Sequence, residues 1–536
     1  MNDAASIVVS AGTAALIAPC LDVIWLVTVG VVALGVVTER RRPTRFHLPW
    51  PTAVPIGLMV IGMAISGGAQ TTASYGFSRG SGGNMGTSPL LGSVPSGPAK
   101  DEVLQLTFRD AINMALQYNL GSIERGEDTR ITRGQRLLAM SALLPQVSAG
   151  VTEGVAQTSP AILRYLRSLD LTNFPEIAKS IGPYGSSQIG ASISQTLFNM
   201  PSIQRFRAAR SVAQAAQLSY QDILDVVTLA AGNAYLRVIE SSSRIEAAQA
   251  QVRNAQALYN QAVDELQAGT APRIDVTRTE VQLHIEQYNL SVARNDFAIA
   301  KLTLGRVIGL PRGQAFEIAD QLPYADLEPP SVEAALKTAY NSRSDLQAAI
   351  RLMKGAEQTL SAARGERYPV LAVNGSYTEL ATTFAHLHPT FDVQAGVSVP
   401  VFTGGRVKGD ITQAEAALRQ RKAEAENIRG QIDYDVRTAL LNLSAAREQV
   451  DVTRRNVDLA NENLDRSRER FTSGVTDSVE VVQAEQSLAS ANDQFITSVH
   501  DHSLAKLALA RALGVAHTSY NQYLGGVIAD PQPPAR

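Results

Sequence analysis

Residues 406–474 read RVKGDITQAEAALRQRKAEAENIRGQIDYDVRTALLNLSAAREQVDVTRRNVDLANENLDRSRERFTSG. No proline interrupts this run, and glycine occurs only at Gly409, Gly430 and the closing Gly474. Apolar residues recur at intervals of three, four and seven, for example at Ile428, Ile432, Val436, Leu440, Leu443 and Val450. That spacing places them along one stripe of a helix and marks a coiled-coil-like seam. Many seam residues are alanine, so neighbouring helices can approach closely. At 1.5 Å per residue the helix spans roughly 100 Å.

A second run of the same kind extends from about Ser202 to Ala268. Each run ends in a turn, Gly269-Thr270-Ala271-Pro272 or Gly474-Val475-Thr476, and a return helix of about 36 residues reaches Ile308 or Leu513. The correspondence extends outward. Leu144-Pro145-Gln146-Val147 matches Tyr368-Pro369-Val370-Leu371, 224 residues later. Leu197-Phe198-Asn199 matches Val401-Phe402-Thr403 with an offset of 204, and Ala300-Lys301-Leu302 matches Ala505-Lys506-Leu507 with an offset of 205. The chain is one unit used twice. Each unit opens with a helix, expected over 107–142 and 332–366, that stops before a proline.

Between opening helix and long helix lie two alternating stretches per unit. Val147, Ala149, Val151 and Val155 alternate with Ser148, Gly150, Thr152 and Gly154, and Ile189, Ala191 and Ile193 return. In the second unit Leu371, Val373 and Tyr377 lead out, and Phe391, Val393, Ala395, Val397 and Val399 come back. Period two with one apolar face predicts strands, and about ten residues is the span of a transmembrane β-strand. Four strands cannot close a barrel, because the smallest membrane barrels need about eight, and an open edge cannot sit in lipid. Strands that enter a membrane therefore require several copies of the chain. Three would supply twelve strands, although the sequence does not fix that number.

The net charge of −2, with 18% charged residues, carries no basic surface for nucleic acid and no acidic tail. The only cysteine, Cys20, excludes an internal disulfide or cysteine-based metal site. Residues 4–37 are apolar and long enough to cross a bilayer. An overlapping pattern, Arg40-Arg41-Arg42, an apolar core from Ala53 to Ile65 and Gly67-Gly68-Ala69, reads as a signal peptide cleaved near Ala69–Gln70. Cys20 fits a lipid-anchor motif poorly, since Pro19 precedes it and no basic residue lies upstream. The expected organisation is a targeting region at 1–69, a flexible Gly/Ser/Thr/Pro linker at 70–100, repeats at 101–320 and 321–515, and a tail at 516–536. His386 and His388 are expected in a short hairpin loop. His500 and His502 point to different faces of a helix, a poor metal arrangement. Gly404-Gly405-Arg406-Val407-Lys408-Gly409 lacks the ending of a phosphate loop and reads as a strand-to-helix bend. No catalytic, cofactor-binding or metal-binding residues are assigned. The longer loop at about 157–187 contains Leu163, Tyr165 and Phe174 and is expected at the outer mouth.

In this order, and duplicated, these elements resemble the TolC-like outer-membrane efflux protein family. Leu106-Thr107 followed by Asp110-Ala111, Ala115-Leu116 and Asn119 resembles that family's opening helix, and the likeness covers about residues 101–515. The resemblance implies a mainly α chain with a membrane β-barrel: a homotrimer with a twelve-stranded barrel in outer-membrane lipid of a Gram-negative bacterium and an α-helical barrel across the periplasm. It implies a periplasmic adaptor (a membrane fusion protein) and an inner-membrane pump as partners. It also implies that the helical turns form the periplasmic tip. Gly269, Thr270, Asp275, Val276, Gly474, Val475 and Val481 would then belong to adaptor-docking turns. Glu480 stands where the family often has an aspartate lining the closed entrance, and Gln483 stands where a second aspartate would follow one turn later. Turn chemistry alone accounts for the glycines and for an acid in the first turn of the next helix. The competing readings are an inner-membrane-anchored periplasmic adaptor, which needs one hairpin and not two, and a structural coiled-coil protein, which leaves the alternating strands unexplained.

Overall fold

A computed structural model describes residues 92–156, 184–270, 272–320, 325–381, 388–473, 475–476 and 478–524. The targeting region at 1–69, most of the expected linker, the outer-mouth loop, His386 and Gly474 lie outside the described residues. Within them the duplicated order is plain. The first repeat runs β1 (Leu104–Leu106), α1 (Phe108–Tyr118), α2 (Leu120–Ser141), β2 (Gln146–Ala156), β3 (Tyr184–Phe198), α3 (Met200–Gln267), α4 (Arg273–Ile308) and β4 (Phe316–Ile318). The second runs α5 (Val332–Ser342), α6 (Ser344–Gly365), β5 (Val370–Ala381), β6 (His388–Ser398), α7 (Arg406–Thr472), α8 (Ser478–Ala512) and α9 (Ala516–Tyr523). The long helices contain 68 and 67 residues. His388, expected in the hairpin loop, begins β6 instead.

The opening helix of each repeat is two helices and not one. At Asn119 the backbone turns extended (φ −67°, ψ 136°), and at Arg343 it does the same (φ −62°, ψ 113°). Asn119 stabilises its break directly: its Oδ1 accepts from the Gly121 N–H at 2.9 Å, and its Nδ2 donates to the Val307 carbonyl at 3.1 Å. Such a capped break costs less than an uncapped one because the side chain satisfies an otherwise orphaned N–H. Arg343 instead reaches out, pairing with Asp435 on α7 at 2.9 Å and donating its Nε to Asp345 at 3.0 Å. Both breaks receive the glycine that ends a return helix. Gly309 caps α4 at φ +77°, and Gly514 follows α8 at φ +74°. A Cβ on Gly309 would lie 2.5 Å from the Tyr118 Cβ, and one on Gly514 would lie 2.9 Å from the Arg343 Cα. Left-handed backbone and close approach both demand glycine here.

Residues 92–100, expected in the linker, are engaged with the fold. The Val94 N–H donates to Tyr118, Leu120 donates to the Gly92 carbonyl, and Ser96 donates to Gly309, so the strap lies across the Asn119 break. The expected tail likewise begins with α9. There Tyr520 packs against Phe108, and the His517 N–H and Nδ1 both meet the buried Asp225 carboxylate at 2.7 Å. The core of the first repeat gathers Phe108, Tyr235, Leu304 and Ile308, with Leu507 from the second. Tyr235 meets Phe108 edge-on and donates to the Leu106 carbonyl at 3.0 Å. The counterpart lysines fix the connection between repeats: Lys301 donates to the Phe316 carbonyl and Lys506 to that of Ala325.

β1 and β4 pair in parallel. The other four strands form one antiparallel sheet in the order β2-β3-β5-β6, so β2 and β6 are its edges. Their apolar faces are open: Val151 is 66% exposed and Val397 67%.

Gly309→Ala is expected to lower stability by about 1–3 kcal/mol, combining left-handed strain with displacement of Tyr118. Gly313→Ala, where φ is +82° but the space is open, should cost about 1 kcal/mol from strain alone. Thermal loss of helical circular dichroism compares them, and equal losses would contradict the close-approach argument.

Candidate functional site at the helical tips

The two long hairpins turn at the same end of the molecule. Gly269 adopts φ +73° with open space around its α-carbon, and the Thr270 N–H and hydroxyl both donate to the Glu265 carbonyl. Asp275 follows in the first turn of α4, where a carboxylate complements the helix dipole. It does more than that. Arg278 pairs with it at 2.9 Å, the Ser478 hydroxyl at the start of α8 donates to it at 2.8 Å, and Arg278 also donates to Ser478 at 3.0 Å. This triangle ties the first hairpin to the second. Two turns deeper, Gln486 of α8 donates to Gln282 of α4 at 3.3 Å.

Glu480 lies in the first turn of α8 and is folded back onto the end of α7. Arg470 pairs with it at 2.8 Å, Thr476 donates its hydroxyl to the other carboxylate oxygen, and Ser467 lies within 3.5 Å. Its side chain remains 34% exposed. Gln483 is exposed on the next turn, Val475 is exposed in the turn itself, and Val276 is half-buried. Val481, grouped above with the docking turns, is completely buried with Leu258, Leu464, Ala484 and Leu488. It anchors the tip from within, because the register that brings Glu480 to the surface turns its neighbour inward.

Sequence reading missed the partners of these acids. Arg470, ten residues before Glu480, and Ser478, in the other hairpin from Asp275, become neighbours only through the turn and the packing of α4 on α8. It also missed Glu485, which is 4% exposed and accepts from Arg468 at 3.0 Å. Burial pushes the Glu485 carboxyl above its ordinary value of 4.5, the Arg468 guanidinium works against that shift, and Glu286 adds to it.

His500 and His502 are packed. His502 is 1% exposed, and burial beside the Lys506 ammonium lowers it to about 4. His500 is buried with Nδ1 3.1 Å from Asp501 and Nε2 3.9 Å from Glu240. Among the described residues, no group of three or more His, Cys, Asp or Glu is placed to hold a metal, and no helix is long and apolar enough to cross a membrane.

A raised carboxyl contributes stability below its ordinary value and loses it as pH rises through the folded value. Glu485→Gln should therefore protect the tip at pH 7 as well as or better than the native residue, with the advantage shrinking toward pH 4. Hydrogen exchange of α7 and α8 across that range tests this. A variant that is less protected at every pH would show that the Arg468 pair outweighs burial.

Comparison with known proteins agrees with this architecture. The pyoverdine export outer membrane protein OpmQ of Pseudomonas putida is 23% identical over 325 residues, covering 58% of this chain and 66% of that protein. The outer membrane efflux protein BepC of Brucella suis is 26% identical over 255 residues, covering 46% of this chain and 54% of BepC. The chain thus spans about two-thirds and about half of these relatives. The Campylobacter jejuni CmeC outer membrane channel superposes with a TM-score of 0.66 at 14% identity, over 81% of this chain and 93% of CmeC, a likeness of fold. The family model described as outer membrane efflux protein matches residues 129–310 and 335–515, one segment for each repeat. The chain belongs to the outer membrane efflux protein family.

Proposed function

We propose that this protein is the outer-membrane exit duct of a tripartite efflux or secretion system. It works as a homotrimer that passively conducts cargo from periplasm to exterior. The observation that carries this reading is the four-stranded sheet with two unpaired edges, joined to two helical hairpins roughly 100 Å long. Each chain supplies one third of a membrane barrel and one third of a helical tube. Energy comes from an inner-membrane pump, linked through a periplasmic adaptor that engages the tips.

At the tips, Glu480 supplies charge to the narrow end. Repeated in three copies around an axis, a ring of carboxylates attracts cations and hinders anions. Its pairing with Arg470 is exposed, and such pairs contribute about 0–1 kcal/mol. The carboxylate is therefore held in place without being locked there. Gln483, one turn further along α8, adds no second charge to the ring.

Purified protein reconstituted into planar bilayers should form discrete cation-preferring conductances. Glu480→Gln should reduce the preference for cations. An assembled protein that inserts without conducting contradicts the duct, and unchanged selectivity in the variant contradicts the role of Glu480.

A further inference from the structure

Charge is distributed unevenly along the helices. Where they meet the strands, bases prevail. α2 brings Arg133 and Arg136, and α3 brings Arg205, Arg207 and Arg210. The end of α6 brings Arg364 and Arg367, and α7 opens with Arg406 and Lys408. All of them are exposed, and at 1.5 Å per residue they lie within about 15 Å of the helix end nearest the sheet. The stretches 133–145, 199–210, 361–369 and 402–410 contain only two acids, Glu366 and Asp410. At the opposite end of the same hairpins, over 257–283 and 462–485, acids outnumber bases, and the whole chain carries −2. The positive excess is concentrated at one height. Among the described residues, Arg133, Arg136, Arg207, Arg210, Arg367 and Lys408 form no ion pair, whereas Arg205, Arg364 and Arg406 do.

Aromatic side chains mark the same height. Phe198 ends β3, Tyr368 precedes β5 and Phe402 follows β6, and all three are exposed. Membrane barrels carry such rings at the level of the headgroups. Arginine and lysine beside them cover apolar surface with their stems and keep the charged end in a polar layer. Two of these arginines are held in place. The Glu366 side chain, 12% exposed, accepts from Arg205 of α3 at 3.0 Å and from Arg406 of α7 at 2.6 Å. One carboxylate thus sets guanidiniums from both repeats around itself, and their side chains stay 61% and 59% exposed. A guanidinium has five N–H donors, so each has donors beyond those that Glu366 and Asp410 take.

We propose that this belt binds the phosphate groups of anionic phospholipids in the periplasmic leaflet of the outer membrane, with the Arg205–Glu366–Arg406 clamp as its best-ordered seat. Phosphate oxygens accept paired N–H donors from a guanidinium fork. The unpaired bases around the clamp add attraction that falls off within a Debye length of the headgroups. Tyr368 and Phe402 reach the acyl boundary beside them. Together they set how deep the barrel sits in the bilayer. This inference rests on the duct reading above, which puts the sheet in the membrane with its helical side toward the periplasm. It adds the class of lipid that the chain recognises.

Native mass spectrometry of the full chain in mild detergent tests it, with phosphatidylglycerol or zwitterionic phosphatidylethanolamine added at equal concentration. The native protein should retain phosphatidylglycerol in preference. Arg205→Gln with Arg406→Gln should lower that preference on the order of tenfold. Arg207→Gln with Lys408→Gln leaves the clamp intact and should lower it as well, which separates lost attraction from any disturbance around Glu366. Arg454→Gln with Arg455→Gln, exposed at mid-length on α7, changes the charge equally and should leave the preference unchanged. Equal retention of both lipids by the native protein, or a preference unchanged in both belt variants, overturns the belt; bases that line the pore would give the first result. Displacement of phosphatidylglycerol by an equal concentration of inorganic phosphate would mean that the belt reads a free anion, and overturns the lipid assignment. The same spectra report assembly. Trimers without a lipid preference overturn the belt and leave the duct standing, whereas monomers that keep the preference overturn the duct and leave the belt.

Discussion

An unpaired β-edge cannot rest in hydrocarbon. Every N–H and C=O along it has lost water and gained no partner, at a cost of several kcal/mol for each group. The sheet ends in two such edges, β2 and β6, and the rest of the architecture follows from satisfying them. A single chain cannot curl four strands into a barrel, so it must recruit copies of itself. Copies arranged to close a barrel also bring their long helices side by side, where alanine-rich stripes let backbones approach. In the proposed duct, membrane insertion and periplasmic extension share one symmetry.

The two repeats differ at their helix breaks. Asn119 caps its break at Gly121 and ties it to the Val307 carbonyl of α4, while Arg343 extends its guanidinium to α7 and α6. The first break is also bound by the 92–97 strap. At the opposite end of the helices, charges concentrate between hairpins, with Asp275, Arg278 and Ser478 bridging α4 to α8. These contacts are part-buried, with Ser478 fully covered and the Asp275 side chain 14% exposed.

The long helices were legible because periodicity and the absence of proline act over many turns. The strands were legible because a ten-residue alternation with one apolar face suits a pleated backbone and would scatter around a helix. The breaks at Asn119 and Arg343 were not: one extended residue leaves the apolar pattern intact on either side, and Arg343 carries no local capping signal. The strap was hidden for a different reason. Its Gly/Ser/Pro composition matches that of a free linker, and its attachment is largely through backbone hydrogen bonds. At the tips, the positions of Glu480 and Asp275 could be read from the turns. Their partners could not, since Arg470 and Ser478 become neighbours only when the helices pack. Val481 shows the same limit, for a motif position beside a turn does not reveal which side of the helix faces the core.

The most direct test of closure by self-association is imaging of the detergent-purified protein. The account requires a threefold, tapered cylinder on the order of 140 Å long, with one end a barrel of membrane thickness and the remainder a helical tube. Flexible rods or compact monomers after gentle extraction would mean that the strands do not close between copies, and would contradict it.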